Sequence, residues 1–563
     1  YPHVAVYNSV FDEEAGRYIS GGEVGIGAVA PWAGKLWLVT YSPHCPRGST
    51  DKLYTLDADL NLERRPESIG GTPAGRLIHR ESEQLFIGPY AIDREGTVRV
   101  IPYSRMPGRH TAIARHLDRP SEAVYYLDME GRIYEVDVHS LAVQLLFRKP
   151  VPGWHGKGGY TGQGRLVVAN NGEHAVRGHS LEHLCVGAAP KHPEEMGVLA
   201  EWDGVSWRIV ERKQFTEVTG PGGISGAARA SDPLWSVGWD RRSVILKVLD
   251  GGRWSTFRLP KGTWTYDHRG GCYSEWPRIR RVAPGSWLMD MHGLFWDFPE
   301  GFSEGKTGGL RPLSTHHRYV SDFCEWQGRV VLASDDTTMM GNPFPGQAQS
   351  NLWFGTWDAL KNWGPRAGWG GPWGNAPVEA GVPSVPFAVA GFPRRCLHLA
   401  VGTGRPRTAE TGMARCSDRF ELTRVPAELI GLPRVTVERG DYHEPAAGYS
   451  FTVDRPVEVF IAVDARPPFE AEGRWTRTRW VTEWGACRDA VYRRRFPAGR
   501  VDIPGHPHPH KEHAYGLPHL AVVRPQYGDA SDLTVRAAEP GPAGPIAITE
   551  AAPEAPRPRP STP

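Results

Sequence analysis

Apolar and polar positions alternate along this chain in short runs. No apolar pattern holds a 3.6-residue period through three helical turns. Period-two alternation between turn residues reads as β-strand. Eight such runs share one form, a small–apolar–aromatic strand that follows a loop of Gly, Pro, His, Arg and Trp. They are Lys35–Thr40, Gln84–Gly88, Ala123–Leu127, Arg165–Asn170, Pro233–Gly238, Gly285–Met291, Gly328–Ser334 and Arg395–Val401. Their spacing is roughly 40 to 65 residues, the period of a four-stranded propeller blade. The predicted fold is all-β: a seven- or eight-bladed β-propeller over residues 1–428, with a C-terminal β-sandwich. Within 1–20, Val4–Tyr7 (VAVY) is predicted to close the ring against the last blade.

Beyond Pro426 the character changes. Pro433–Glu438, Ser450–Val453, Glu458–Val463, Ala490–Phe496 and Leu520–Arg524 alternate like the strands of an antiparallel sandwich, placed at 429–538. Residues 539–563 are mostly Pro, Ala, Gly and Glu with few apolar anchors and are expected to be a disordered tail.

Composition narrows the function. The 563 residues include 66 Gly, 50 Pro and 21 Trp, and the net charge is +2. That charge implies no bulk polyelectrolyte partner, so no nucleic acid is expected. No apolar stretch long enough to span a membrane is present, and no membrane partner is expected. The chain begins at Tyr1, read as a mature chain whose signal peptide has been removed, hence secreted or periplasmic. Seven Cys without a CxxC do not make a disulfide scaffold; Cys396 and Cys416 flank a candidate hairpin, as a bridge or as buried thiols.

A propeller gathers one loop from each blade around one channel, so the segments read as entering the innermost strands are the candidate site. They are Gly70–His79, Pro107–His116, Pro152–Tyr160, Val218–Ile224, Tyr273–Arg278 and Ser314–Asp322. They carry Arg76, His79, Arg109, His110, Arg115, His116, His155, Lys157, Tyr160, Tyr273, Trp276, Arg278, His316, His317, Arg318 and Tyr319. Each His or Arg alone reads as a strand cap. Concentrated at equivalent positions they describe a cationic, aromatic rim suited to an anionic polysaccharide or oligosaccharide: Arg for carboxylate, Trp and Tyr for sugar faces. In Trp154–Glu173 (WHGKGGYTGQGRLVVANNGE), closely spaced glycines allow a near approach of backbone to a ligand or a sharp turn.

Hydrolysis of a glycoside needs two carboxylates, for which Glu275 and Asp322 are candidates. Elimination at a uronate needs a cation on the C5 carboxylate, a base for the C5 proton and an acid for the leaving oxygen. Arg, His and Tyr supply those roles. The His-rich HPHPHKEH at 506–513 reads as a solvated loop or a divalent-ion site, and Ser334–Thr338 is a weak Ca²⁺ signal. No cofactor is required by this reading, and a structural divalent metal is left open.

The RHTAIARH, WHGKGGY and YSEWPR segments (109–116, 154–160, 273–278), set in these repeats, resemble secreted bacterial β-propeller enzymes that degrade uronate- and rhamnose-containing polysaccharides. These are the ulvan, rhamnogalacturonan and rhamnose–glucuronate lyases and related rhamnosidases. The resemblance covers about three quarters of the chain, the repeat region. It implies a polysaccharide lyase acting by β-elimination at a glucuronate of a rhamnose–glucuronate linkage. His110 or His155, Tyr160, and Arg278 or Arg109 would be its catalytic groups. Arg76, Arg109, His116, Lys157, Tyr273, Trp276, His316 and Arg318 would bind substrate. A glycoside hydrolase on the same glycans and a non-catalytic glycan-binding propeller remain alternatives. A metal-dependent lactonase fits least, because the rim is poor in carboxylates.

Overall fold

A computed structural model describes residues 5–7, 11–12, 17–18, 25–41, 52–70, 74–153, 156–172, 197–262, 278–335, 349–373, 381–398, 422–437, 448–464, 469, 471, 473–484, 487–505, 519–537 and 546–549. The chain divides into two units, one ending at Cys396 and one beginning at Leu397.

The first unit is built from seven four-stranded antiparallel sheets. Their innermost strands are Gly25–Trp32, Arg76–His79, His110–Arg115, Gly156–Gly162, Gln214–Thr219, Arg278–Ala283 and Tyr319–Trp326, here numbered blades 1 to 7. Each lies beside the next, and that of blade 7 beside that of blade 1, so the ring closes. Seven apolar clusters, one between each pair of neighbouring blades, hold it together. Trp37, Trp235, Trp239, Trp287 and Trp296 are fully buried in these seams. Burying an aromatic ring of this size removes enough apolar surface to outweigh its ordering cost. Ala5–Tyr7 forms the outermost strand of blade 7, with Ala5 opposite Asn351 and Tyr7 opposite Gln349.

Seven is therefore the blade number, and the eighth repeat is not a blade. Arg395–His398, its described part, is not a strand. After a short helix, Trp357–Leu360, the chain turns back over the preceding blades. The Thr315 N–H donates to the Pro365 carbonyl, Lys261 pairs through its backbone with Trp369, and Arg258 pairs likewise with Pro386 and Ala388. This strap occupies the stretch that the repeat spacing assigned to another sheet.

The runs that stood out in the sequence are the second strands of the blades: Lys35–Tyr41, Gln84–Ile87, Ala123–Asp128, Arg165–Asn170, Leu234–Trp239, Ser286–Met291 and Arg329–Asp335. Each segment read as an entrance loop contains part of an innermost strand, and many of the residues singled out lie in those strands rather than in loops. That difference decides the geometry of the site.

The second unit is a pair of antiparallel sheets. One has seven strands, in the order Leu422–Arg424, Thr476–Trp484, Cys487–Phe496, Val457–Asp464, Leu520–Pro525, Arg434–Val437 and Ile546–Thr549. The other has Gly499–Ile503, Tyr449–Val453 and Val535–Ala537. Phe451, Val459, Ile461, Val501 and Val523 belong to one core that both sheets contribute to. Its first strand lies before residue 429, so the unit begins earlier than the composition change suggests. Ile546–Thr549 pairs with Arg434–Val437, so the tail expected to be disordered contributes a strand. Among the described residues no helix is long and apolar enough to cross a membrane.

Candidate functional site

The innermost strands run from one mouth of the channel toward the other. Residues at their starts and ends therefore belong to opposite mouths, and the polar side chains between them line the wall. In five of the seven strands a bulge falls near the start, at Gly27, Thr111, Lys157, Thr216 and Ser321. A bulge inserts one residue and re-aims the strand after it. Glu217 and Asp322 directly follow the bulges of blades 5 and 7.

Those two carboxylates meet three arginines from blades 2 and 6. Asp322 pairs with Arg76 and accepts the Val29 N–H at 2.9 Å; Arg278 Nε lies 3.7 Å from it. Glu217 accepts from Arg278 Nη1 at 3.0 Å and also pairs with Arg280. Arg278 Nε donates to the Ser321 carbonyl at 3.2 Å. All five side chains are buried. Lys157, also buried, lines the same cavity. Among the described residues Arg76, Arg278 and Arg280 thus share two carboxylates, and Arg115 and Lys157 also line the cavity. Burial, with Arg280 and Arg278 nearby, pushes the Arg76 guanidinium down to about 9 despite the help of Asp322. It is still charged at neutral pH. Arg76 Nε, Arg280 Nε and the Tyr160 hydroxyl are buried without a hydrogen-bond partner. A buried donor left unpaired costs about 1–3 kcal/mol, more when charged.

The cavity between them has a volume of about 40 Å³. At about 10–15 Å³ per water this is room for about three waters, or for one carboxylate group. It is far below the 300–1,000 Å³ or so of a pocket that swallows a small molecule. A sugar ring is too large to enter; a projecting group the size of a carboxylate fits.

The far mouth is closed. The connection from Thr219 to Leu234 carries the turn Gly223–Ser225, which packs on the innermost strands of blades 2 and 6. Ile224 packs with the cluster between blades 1 and 2, and Arg115 Nη1 donates to the Ala227 carbonyl at 2.8 Å. A Cβ on Gly226 would sit 2.6 Å from Arg115 Cδ, and one on Gly222 would sit 1.7 Å from the Gly226 carbonyl oxygen. Gly222 and Gly226 thus make the tight crossing possible. Val218–Ile224, expected at the same mouth as the other segments, runs into this plug at the opposite end.

Of the residues singled out from sequence, Arg76, Arg115, Lys157, Tyr160 and Arg278 line the cavity. Burial pushes the Tyr160 phenol up, so it stays protonated. His155, Tyr273 and Trp276 lie outside the described residues, as do Glu275, Cys416 and the histidines at 506–513.

Five of the remaining residues, His110, His116, His316, Arg109 and Arg318, are held elsewhere. His110 starts its strand but packs edge-on to Tyr126 and Tyr134, with ring centroids at 6.0 and 6.4 Å. It sits in apolar surroundings that push its imidazole down to about 4. His116 stacks on Tyr125 and donates from Nε2 to Glu135 at 2.8 Å, while its Nδ1 accepts the Asp118 and Arg119 N–H groups. His316 stacks on Phe295 and donates from Nε2 to Asp290 at 2.8 Å. Arg109 Nε donates to Glu130 at 2.6 Å. Arg318 donates to Ser334 and Asn351 and lies over the Trp363 ring at 5.9 Å. These are the ordinary strand-capping and seam-packing roles of a propeller, and they correct the composite rim inferred from sequence.

The glycines of WHGKGGY also serve the fold. A Cβ on Gly156 would lie 2.3 Å from the Asp128 carbonyl oxygen, and one on Gly158 would lie 2.8 Å from the Val218 nitrogen. The close approach they permit is between neighbouring blades. Sequence reasoning missed Glu217 and Arg280. Their signal was present: a charged residue spaced by two from other strand residues in QFTEVT and RIRRVA. Among the described residues no group of three or more His, Cys, Asp or Glu is placed to hold a metal ion.

No family model matches this chain, and no curated protein matches it. Among solved structures it is similar to the WD40 β-propeller domain of Doa1, at 9% identity over 63% of this chain and 98% of that one, with a TM-score of 0.34. The Myceliophteria thermophila Cps50 (Swd1) propeller matches at 11% identity over 62% of this chain and 99% of that one, also at 0.34. YCF48 from Cyanidioschyzon merolae matches at 12% over 59% and 96%, at 0.32. At such scores these likenesses carry no argument about function. The architecture rests on the seven sheets and their closed ring.

Proposed function

We propose that the channel of this propeller receives the carboxylate of a uronate-bearing glycan, and that the chain is a polysaccharide lyase acting by β-elimination at that uronate. The observation that supports this is the buried excess of positive charge around a cavity the size of one carboxylate. Elimination begins with removal of the C5 proton, and the negative charge that develops must be spread into the C5 carboxylate. Guanidinium groups fixed around that carboxylate stabilise the transition state more than the ground state. Arg76 and Arg280 have the unpartnered donors, and Arg278 anchors both carboxylates beside them. The Tyr160 hydroxyl, protonated and buried in the same cavity, is a further donor to that carboxylate, and the leaving oxygen, which stays outside with the ring, takes its proton from solvent. No described histidine lines the cavity. His155, two residues before Lys157 in sequence, is the proposed base.

Hydrolysis through Asp322 is the weaker reading. A glycosidase carboxylate must be free to move a proton or attack carbon. Asp322 is fully buried and engaged by Arg76 and the Val29 N–H. A purely binding propeller would use the same cluster without turnover.

Incubation with uronate-bearing glycans, read at the absorbance of the unsaturated uronate, separates these readings. A rise that Arg278→Ala abolishes supports the lyase. Sugar released without a rise means hydrolysis, and retention without product means binding alone.

A further inference from the structure

On the face of the seven-stranded sheet opposite the three-stranded one, cations are gathered at one end. Arg524, Glu458 and Arg495 stand abreast in register on three adjacent strands. Arg493 occupies the next row on the same face, opposite Phe460. The other end of this face is apolar and covered: Phe460, Ala462, Val491 and Val522 pack under Leu422, Val425 and Leu429. The cationic end is open. The side chains of Arg493, Arg495 and Arg524 are 46%, 73% and 36% exposed, around a Glu458 that is only 8% exposed. Glu458 lies 3.4 Å from Arg493 Nη1 and 3.7 Å from Arg495 Nε and also pairs with Arg524. One carboxylate is shared by three guanidinium groups, so among the described residues the patch keeps two uncompensated positive charges. Arg524 is fixed by lying over the Phe460 ring at 4.8 Å.

We propose that this row is a second glycan-binding surface, which holds a carboxylate-bearing polysaccharide along the sheet. The polymer identity rests on the uronate reading of the channel; the surface itself does not. Guanidinium groups pair with carboxylates through two parallel hydrogen bonds, and three strands abreast span about 10 Å, enough to meet more than one carboxylate of a chain. Nucleic acid is the poorer occupant. The patch holds three cations on a chain of net charge +2, whereas a nucleic-acid footprint is a broad basic stripe.

The test is affinity electrophoresis of the full chain through gels holding polygalacturonate or an uncharged galactan, over a range of NaCl concentrations. Arg493→Glu with Arg495→Glu leaves Arg524 on Glu458. It should lower retention by polygalacturonate about tenfold, since each reversal removes one attraction and adds one repulsion. Turnover of a short uronate oligosaccharide should not change. Should the double variant unfold, Arg495→Gln, at the most exposed of the three, gives the same reading with a smaller drop. Arg278→Ala separates the two claims: it should abolish turnover and keep retention. Unchanged retention in the row variants, equal retention by the uncharged galactan, or tighter binding to duplex DNA of matched charge would each overturn the proposal.

Discussion

Acidification from pH 7 to 4 should destabilise the propeller through one buried imidazole, His110. The ring lies in the seam of blades 2 and 3 against Tyr126 and Tyr134, and its Nε2 has no hydrogen-bond partner. Burial pushes its pKa from 6.5 down to about 4, and nearby Glu130 offsets this only in part. The sign follows from linkage. Between those two values the unfolded chain binds a proton that the folded chain refuses. The stability contributed by the neutral ring is therefore complete above 6.5 and lost as pH falls toward 4. At about 1.4 kcal/mol per pH unit the loss is about 3 kcal/mol. With unfolding entropy of about 2.1 cal/mol/K per residue over about 390 residues, that is a fall of about 4 °C in Tm. The assay is a thermal melt at pH 7, 6, 5 and 4 for the wild type and His110→Phe, whose ring keeps the packing but takes no proton. The wild type should lose about 4 °C more than the variant across the series. Parallel curves would refute the reasoning. A folded His110→Phe that loses turnover at pH 7 would return His110 to the catalytic site.

Three further outcomes are expected. Glu217→Ala leaves Arg278 and Arg280 buried without their shared carboxylate, at a cost of about 3–5 kcal/mol in urea unfolding; wild-type stability would mean water reaches the cluster. Gly158→Ala places a methyl 2.8 Å from the Val218 nitrogen and 3.0 Å from the Thr216 carbonyl oxygen, so blades 4 and 5 must part, at about 1–3 kcal/mol; an unchanged Tm would show the seam has slack. Binding of a uronate, followed by calorimetry, should weaken as pH rises through about 9, where Arg76 loses its proton. Above that value the unfolded chain still holds this proton, so this group alone makes stability rise with pH, and the loss of binding cannot be assigned to it through unfolding.

Blade periodicity was legible in the sequence because the second strand of every blade is buried on both faces. Runs such as KLWLVT and RVVLAS carry that signature without help from neighbours. The innermost strands were not legible as strands. Their walls crowd the channel, so they use Ala112, Ala114, Gly158 and Gly159 where an ordinary strand would place Val or Ile. Small residues beside Arg and Lys read as loop. The error then moved residues between mouths: Arg115 and His116 end a strand that His110 begins, yet all three were assigned to one rim. Arg76, Lys157, Tyr160 and Arg278 were found because a cation or phenol in such a strand has only the channel to face. His110, His116 and His316 were misassigned because composition cannot tell an imidazole facing the channel from one stacked on Tyr or Phe in a seam. The strap from 361 to 398 imitated an eighth unit, since RCLHLAV alternates as a strand does.

The central claim is that buried guanidinium groups in the channel receive a carboxylate. Calorimetric titration of a glucuronate-containing disaccharide and its neutral glucose counterpart, into the wild type and into Arg280→Gln, tests it most directly. The acid should bind and the neutral sugar should not, and Arg280→Gln should weaken the acid about tenfold to a hundredfold, the worth of one charge-assisted hydrogen bond. Equal binding of both sugars, or undiminished binding of the acid to a folded Arg280→Gln protein, would contradict it.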